Sequence, residues 1–234
     1  MKIIGIMQPY FFPYIGYFQL INSVDEFFIY DEASFIKGGW IGRNRIMGSA
    51  EPFYINAALL GAGSNIEIFN VRLNSDDRWR RKLEKSILNC YGKSLYFEES
   101  WGVIRNAIYG HGGNIAEYNF QIIKKISDHL NISTNIVRST TSVGNGELCA
   151  ESRVIDLVRA AGGNVYVNSI GGVDLYDKES FLNNGIELRF LNSLCTNDVS
   201  DYLSIIHQLM TIGKGAVMRK LNDYNFLGNP PSLS

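Results

Sequence analysis

Gln8, Tyr10, Tyr14 and Tyr17 fall in one short run that also holds Pro9 and Pro13. The prolines fix φ and stiffen the backbone between the rings. A Gln amide brings donors and an acceptor, and a Tyr offers a ring face with a hydroxyl at its rim. Groups of this kind need partners when buried. The run therefore reads as one wall of a ligand pocket, with a rigid aromatic core plug as the bland alternative. Gln8 and Tyr17 are its candidate catalytic side chains; Tyr10 and Tyr14 would bind substrate.

A second group follows a few residues on: Asp31, then Lys37, Trp40, Arg43, Asn44 and Arg45 around Gly38-Gly39. Guanidinium forks suit phosphate or carboxylate, and a glycine turn lets backbone N–H groups approach an anion. Asp31 could orient a sugar hydroxyl or one of the arginines. It could also take the proton from an attacking amine, because an ammonium has no lone pair to attack with. Asn168, Ser169 and Tyr176 flank Gly171-Gly172 and supply a third candidate wall. Their spacing fits neither the dinucleotide fingerprint nor the P-loop.

The remaining chemistry is thin. Arg78, Arg80, Arg81, Lys82 and Lys85 share one predicted helix and read as a solvated face. The Ser139 to Gly146 loop is polar but carries no motif. His111, His129 and His207 have no ligand partner at helical spacing, so no metal site is expected, and the cofactor is left open. There is no GxSxG and no catalytic cysteine signature. Cys90, Cys149 and Cys195 are odd in number and form no CxxC, which argues against a disulfide framework and for inert thiols in a reducing cytoplasm. A net charge of −1 argues against a basic nucleic-acid coat protein. No signal peptide and no membrane span are expected.

The elements that would position these residues alternate. Residues 3–8 and 26–31 read as buried parallel strands joined by a helix over 14–23. Residues 32–48 read as a Gly-punctuated loop, and 52–59 and 66–73 as a strand pair. Helices are expected over 78–91, 96–109 and 114–130, the last with Ile115, Tyr118, Ile122, Ile126 and Leu130 as its apolar stripe. Strand 132–139, helix 151–161, strand 164–168, helix 178–184 and strand 186–191 follow, and helices 199–212 and 214–224 close the fold. The expected class is α/β, a Rossmann-like mostly parallel sheet with helices on both faces and a largely helical insertion. Residues 1–227 would form a single domain, with the insertion at about 75–130 and a flexible tail at 228–234. In such sheets ligands sit beyond the carboxyl ends of the strands, where Gln8 and Asp31 fall.

The run MQPYFFPYIGYF, the Asp-containing strand and KGGWIGRNRI together resemble the WbqC-like family. The match to its signature covers Gln8, Pro9, Tyr10, Pro13, Gly16, Tyr17, Asp31, Lys37, Trp40, Arg43, Asn44 and Arg45. The resemblance implies a role in bacterial surface-polysaccharide (O-antigen, lipopolysaccharide) biosynthesis. It implies a transferase that moves an acyl or aminoacyl group, glycyl-like, onto the amine of a nucleotide-linked amino sugar. Its partners would be that sugar nucleotide and an acyl or aminoacyl donor, with a homo-oligomer left open. Two alternatives stand beside it: a nucleotidyl-transfer or adenylate-forming enzyme on the same site, and a non-catalytic glycan-assembly protein. The first is weakened because the turn after strand one carries tyrosines where nucleotidylyltransferase-type folds usually carry a histidine pair.

Overall fold

The structure, a computed structural model, describes residues 1–141, 148, 150–194 and 199–227. It opens with β1 (Ile3–Met7), α1 (Ile15–Asn22) and β2 (Glu26–Ile29). Two small ribbons follow, built from β3 (Arg43–Met47), β4 (Pro52–Asn56), β5 (Leu59–Leu60) and β6 (Arg72–Leu73). Then come α2 (Arg78–Tyr91), α3 (Phe97–Ile108), α4 (Ile115–His129), β7 (Asn135–Arg138), α5 (Ala150–Ala160) and β8 (Val165–Ser169). The chain continues through α6 (Lys178–Asn183), β9 (Glu187–Ser193), α7 (Ile205–Thr211), α8 (Gly213–Lys220) and β10 (Tyr224–Leu227).

Six strands form the central sheet in the order β10-β9-β8-β1-β2-β7. All its pairings are parallel except β9 with β10. The chain runs outward from β1 through β2 to β7, then returns to the other flank of β1 as β8. The strand order therefore reverses between β1 and β8, and the crevice at their carboxyl ends is the switch point where such sheets take ligands. Gly5 is required in β1, because a Cβ there would lie 2.8 Å from the Phe27 ring of the neighbouring strand.

The period-2 alternation of the strands feeds two cores. Phe27, Ile29, Val165 and Val167 turn to one face, where they meet α1, α2, α3, α4, α7 and α8. Ile4, Ile6, Phe28 and Tyr166 turn to the other, against Val154, Leu157 and Val158 of α5 and Phe181 of α6. The expected α/β class with helices on both faces is what the structure has. The apolar stripe of α4 is buried throughout.

Several expectations are corrected. The loop expected over 32–48 contains β3, which pairs antiparallel with β4. Asn44 and Ile46 point inward while Arg43 and Arg45 point outward, so the polar face hid a strand. The strand pair expected over 52–59 and 66–73 reduces to Leu59–Leu60 against Arg72–Leu73, and Ile68–Asn70 is a 3-10 turn. The helix expected to 224 stops at Lys220, and Tyr224–Leu227 returns as an antiparallel edge strand on β9. The helix expected over 199–212 splits into a 3-10 turn at Val199–Tyr202 and α7, whose first turn is capped by Ser204. Cys149, Cys195, residues 142–146 of the polar loop and the tail 228–234 lie outside the described residues.

Candidate functional site

The loop from Gln8 to Tyr14 leaves the end of β1 and is pinned by its own carbonyls. Tyr17 Oη donates to the Gln8 carbonyl at 2.9 Å, and Asn119 Nδ2 to that of Pro9 at 2.8 Å. Asn44 Nδ2 donates to Phe11 O at 3.0 Å and Phe12 O at 2.7 Å. Ile205 N donates to Pro13 O at 2.8 Å, and Phe11 N to Trp40 O at 2.9 Å. This clamp holds Phe12 at φ 41°, a left-handed conformation that costs a non-glycine residue about 1–3 kcal/mol and persists only where the surroundings enforce it. A sequence of two prolines and two buried amides thus fixes the tyrosine rings before any ligand arrives.

Those rings wall a cavity of 370 Å³ at the switch point. Met7 at the end of β1 and Ser169, Ile170 and Gly171 at the end of β8 form its floor. Tyr10, Pro13 and Tyr14 come from the clamped loop, Asn44 and Arg45 from β3, with Trp40 and Tyr202 at the sides. Tyr14 stacks on Tyr202 with ring centroids 6.4 Å apart, and Tyr10 packs on Tyr17 at 5.6 Å. The size is that of a small-molecule site. A cavity of 390 Å³ between β4 and α2 holds none of the predicted site residues.

Arg45 supplies the charge. Its guanidinium lies 5.7 Å from the Trp40 ring centre, and its side chain makes no hydrogen bond or ion pair among the described residues. Its Nε is buried without a partner. The Tyr10 hydroxyl also lacks a partner among the described residues, and burial raises its pKa, so it stays a neutral donor. Among the described residues the cavity lining contains no carboxylate and no imidazole. It can therefore stack a flat or saccharide face, hold an anion and donate from hydroxyls, but it brings no strong base of its own.

The other predicted residues are distributed differently. Lys37 and Arg43 line a neighbouring cavity of 250 Å³ with Gly38 and Gly39. Arg43 lies over the Tyr54 ring at 4.2 Å, its Nε buried and unpartnered. Tyr17 is 1% exposed behind the wall, and burial raises its pKa well above the ordinary value. Asn168 is buried beside Ser169, accepting from the Ser169 N–H at 2.7 Å. The Gln8 side chain makes no hydrogen bond among the described residues and is not part of the cavity lining. Tyr176 packs on Tyr166 and Phe181 in the opposite core, accepting from Tyr166 Oη at 3.3 Å.

Asp31 closes the end of β2 instead. It is fully buried and receives Arg138 Nε at 2.6 Å, Ser139 Oγ at 2.9 Å, Thr140 N at 3.1 Å and Thr140 Oγ1 at 3.0 Å. Beside it Arg153 forks onto Glu32 at 2.8 and 3.0 Å. Met7, Ile170, Gly171 and Tyr202 were missing from the predicted site. Nothing in the sequence ties Tyr202 to Tyr14; only the return of the chain above β3 does so. Of the basic helix, Arg81, Lys82 and Lys85 are solvated, but Arg80 is buried on Trp79 and Tyr118. His207 bonds Tyr91 at 3.0 Å, and His129 faces Ser100 at 3.4 Å. No described helix is long and apolar enough to cross a membrane.

The fold is a Rossmann-like α/β sheet, mostly parallel, with a cavity at its switch point. The WbqC-like protein family matches residues 8–219, and the chain belongs to that family. The uncharacterized protein Rv1507c of Mycobacterium tuberculosis is 26% identical over 184 residues, covering 77% of this chain and 78% of that protein. No solved structure matches the chain.

Proposed function

We propose that the switch-point cavity binds a nucleotide-linked amino sugar, and that the protein transfers an acyl or aminoacyl group to its amine in bacterial surface-polysaccharide synthesis. One observation carries the substrate class: a guanidinium with no ion pair or hydrogen bond among the described residues, 5.7 Å from the Trp40 ring centre, in a cavity walled by tyrosine rings and hydroxyls. Aromatic faces take the sugar or base, hydroxyls its polar edge, and Arg45 its phosphate. The family's association with polysaccharide gene clusters supplies the biological setting.

The described lining residues include no group able to take the amine's proton. The amine then arrives as the neutral free base, and the proton it sheds as the new amide forms leaves with the donor's departing group or to solvent. Transfer should accelerate with rising pH up to the pKa of the sugar amine itself, about 8 by analogy with an α-amino group. The same absence supports a second reading, a non-catalytic protein that holds the sugar nucleotide for another enzyme.

Calorimetric titration with nucleotide-linked amino sugars tests binding, with Trp40→Ala as the variant that should abolish it. Mass spectrometry of the sugar after incubation with thioester and ATP-activated acyl donors tests transfer. Tight binding without any mass gain would favour the second reading; no binding by the wild type would sink both.

A further inference from the structure

We propose that Arg43 and Arg45, the outward pair of β3, form a two-pronged receptor for a diphosphate. The receptor stands in for the helix N-terminus at which this sheet order ordinarily receives phosphate. The proposal rests on the function above and names the diphosphate as the group that is read.

The N-terminus of α1 is closed to an anion. The loop before it has prolines at 9 and 13, which carry no N–H, and the Phe11 N–H is spent on the Trp40 carbonyl. The Tyr14 ring folds over the first turn so closely that a Cβ on Gly16 would lie 2.4 Å from it. Of the backbone donors that a glycine-rich turn would offer to a pyrophosphate, two are absent at the prolines, that of Phe11 is engaged, and the Tyr14 ring lies against Gly16.

The β3 pair has the opposite character. Residues i and i+2 of a strand share a face, about 7 Å apart along the chain. Each guanidinium rests on an aromatic ring, Arg43 on Tyr54 and Arg45 on Trp40. A cation–π contact with a ring does not use up the N–H donors of a guanidinium. Both Nε atoms are buried without a partner, and neither side chain has an ion pair among the described residues. Among the described residues no carboxylate lines either adjoining cavity. A single phosphate would neutralise one arginine and leave the other uncompensated; two linked phosphates answer both.

The test is calorimetry of the full chain at low salt with inorganic pyrophosphate and orthophosphate. Wild type should bind pyrophosphate at least about tenfold more tightly than orthophosphate. Arg43→Gln and Arg45→Gln should each weaken pyrophosphate by about tenfold or more and erase that preference, while either Arg→Lys variant keeps part of it. Thermal melts without ligand establish that each variant is folded. Equal wild-type affinity for the two anions, or a folded Gln variant that keeps the preference, overturns the proposal. A nucleoside diphosphate-linked amino sugar that binds wild type and both Gln variants alike overturns the receptor but leaves the function standing. Pyrophosphate binding as expected, with no binding of the sugar nucleotide, does the reverse. Silence from both probes sinks both.

Discussion

Two strand ends of one sheet carry similar residue types and treat them in opposite ways. At the end of β2, Asp31, Glu32, Arg138 and Arg153 bond to one another and to the start of the next segment. At the ends of β1 and β8, the Arg45 guanidinium and the Tyr10 hydroxyl face a cavity with no partner among the described residues. Charge at a strand end does not mark a ligand site. A site is marked where the fold holds a polar group in place and leaves its bonding capacity unspent. The filled end serves stability, because burying a carboxylate is tolerable only with its partners present. The unfilled end is stabilised by amide clamps, Asn119 from behind and Asn44 from the cavity wall, whose donors are spent on loop carbonyls.

The sharpest way to break this contrast is Asp31→Ala. Removing a fully buried carboxylate that faces Arg138 should cost about 3–5 kcal/mol in denaturant unfolding. A folded, ligand-blind Asp31→Ala protein of normal stability would move Asp31 to the functional side.

Asn44→Ala tests the clamp between the two regions. It frees the Phe11 and Phe12 carbonyls and the left-handed Phe12, and should cost about 2–3 kcal/mol. Ligand binding should weaken with it, because Tyr10 and Tyr14 lose their fixed geometry.

Arg45→Ala should do the converse. It breaks no bond to the protein, so unfolding should shift by less than about 0.5–1 kcal/mol while response to a nucleotide-linked sugar disappears. A loss of stability comparable with that of Asp31→Ala would erase the distinction drawn here.

The smallest effect concerns a histidine outside both regions. Burial lowers the pKa of His129 below its ordinary 6.5, assisted by Lys214 and opposed by Glu99. Between the folded value and 6.5 the unfolded chain binds more protons, so stability present above pH 6.5 is lost as the pH falls through that window. Melting curves of His129→Gln should show a shallower decline there than wild type.

The sequence by itself settled the alternation of strands and helices, the α/β class and the buried stripe of α4, because apolar periodicity is local. It also singled out the run from Gln8 to Arg45 as a candidate, through its prolines, rings and arginines. It did not separate the residues within that run by whether their bonding capacity is already used. Asp31 and Tyr17 looked as available as Tyr10 and Arg45, because residue type records capacity to bond and not whether a partner already fills it. Arg138 and Thr140 fill Asp31, and the Gln8 carbonyl fills Tyr17, from positions no spacing rule could pair. β3 was hidden because its outward face is polar, and β10 because an edge strand after a helix carries a short apolar signal. Which groups stay unspent at the switch point, and that Tyr202 arrives beside Tyr14, depended on chain returns across most of the sequence. Only the packed tertiary structure makes those contacts.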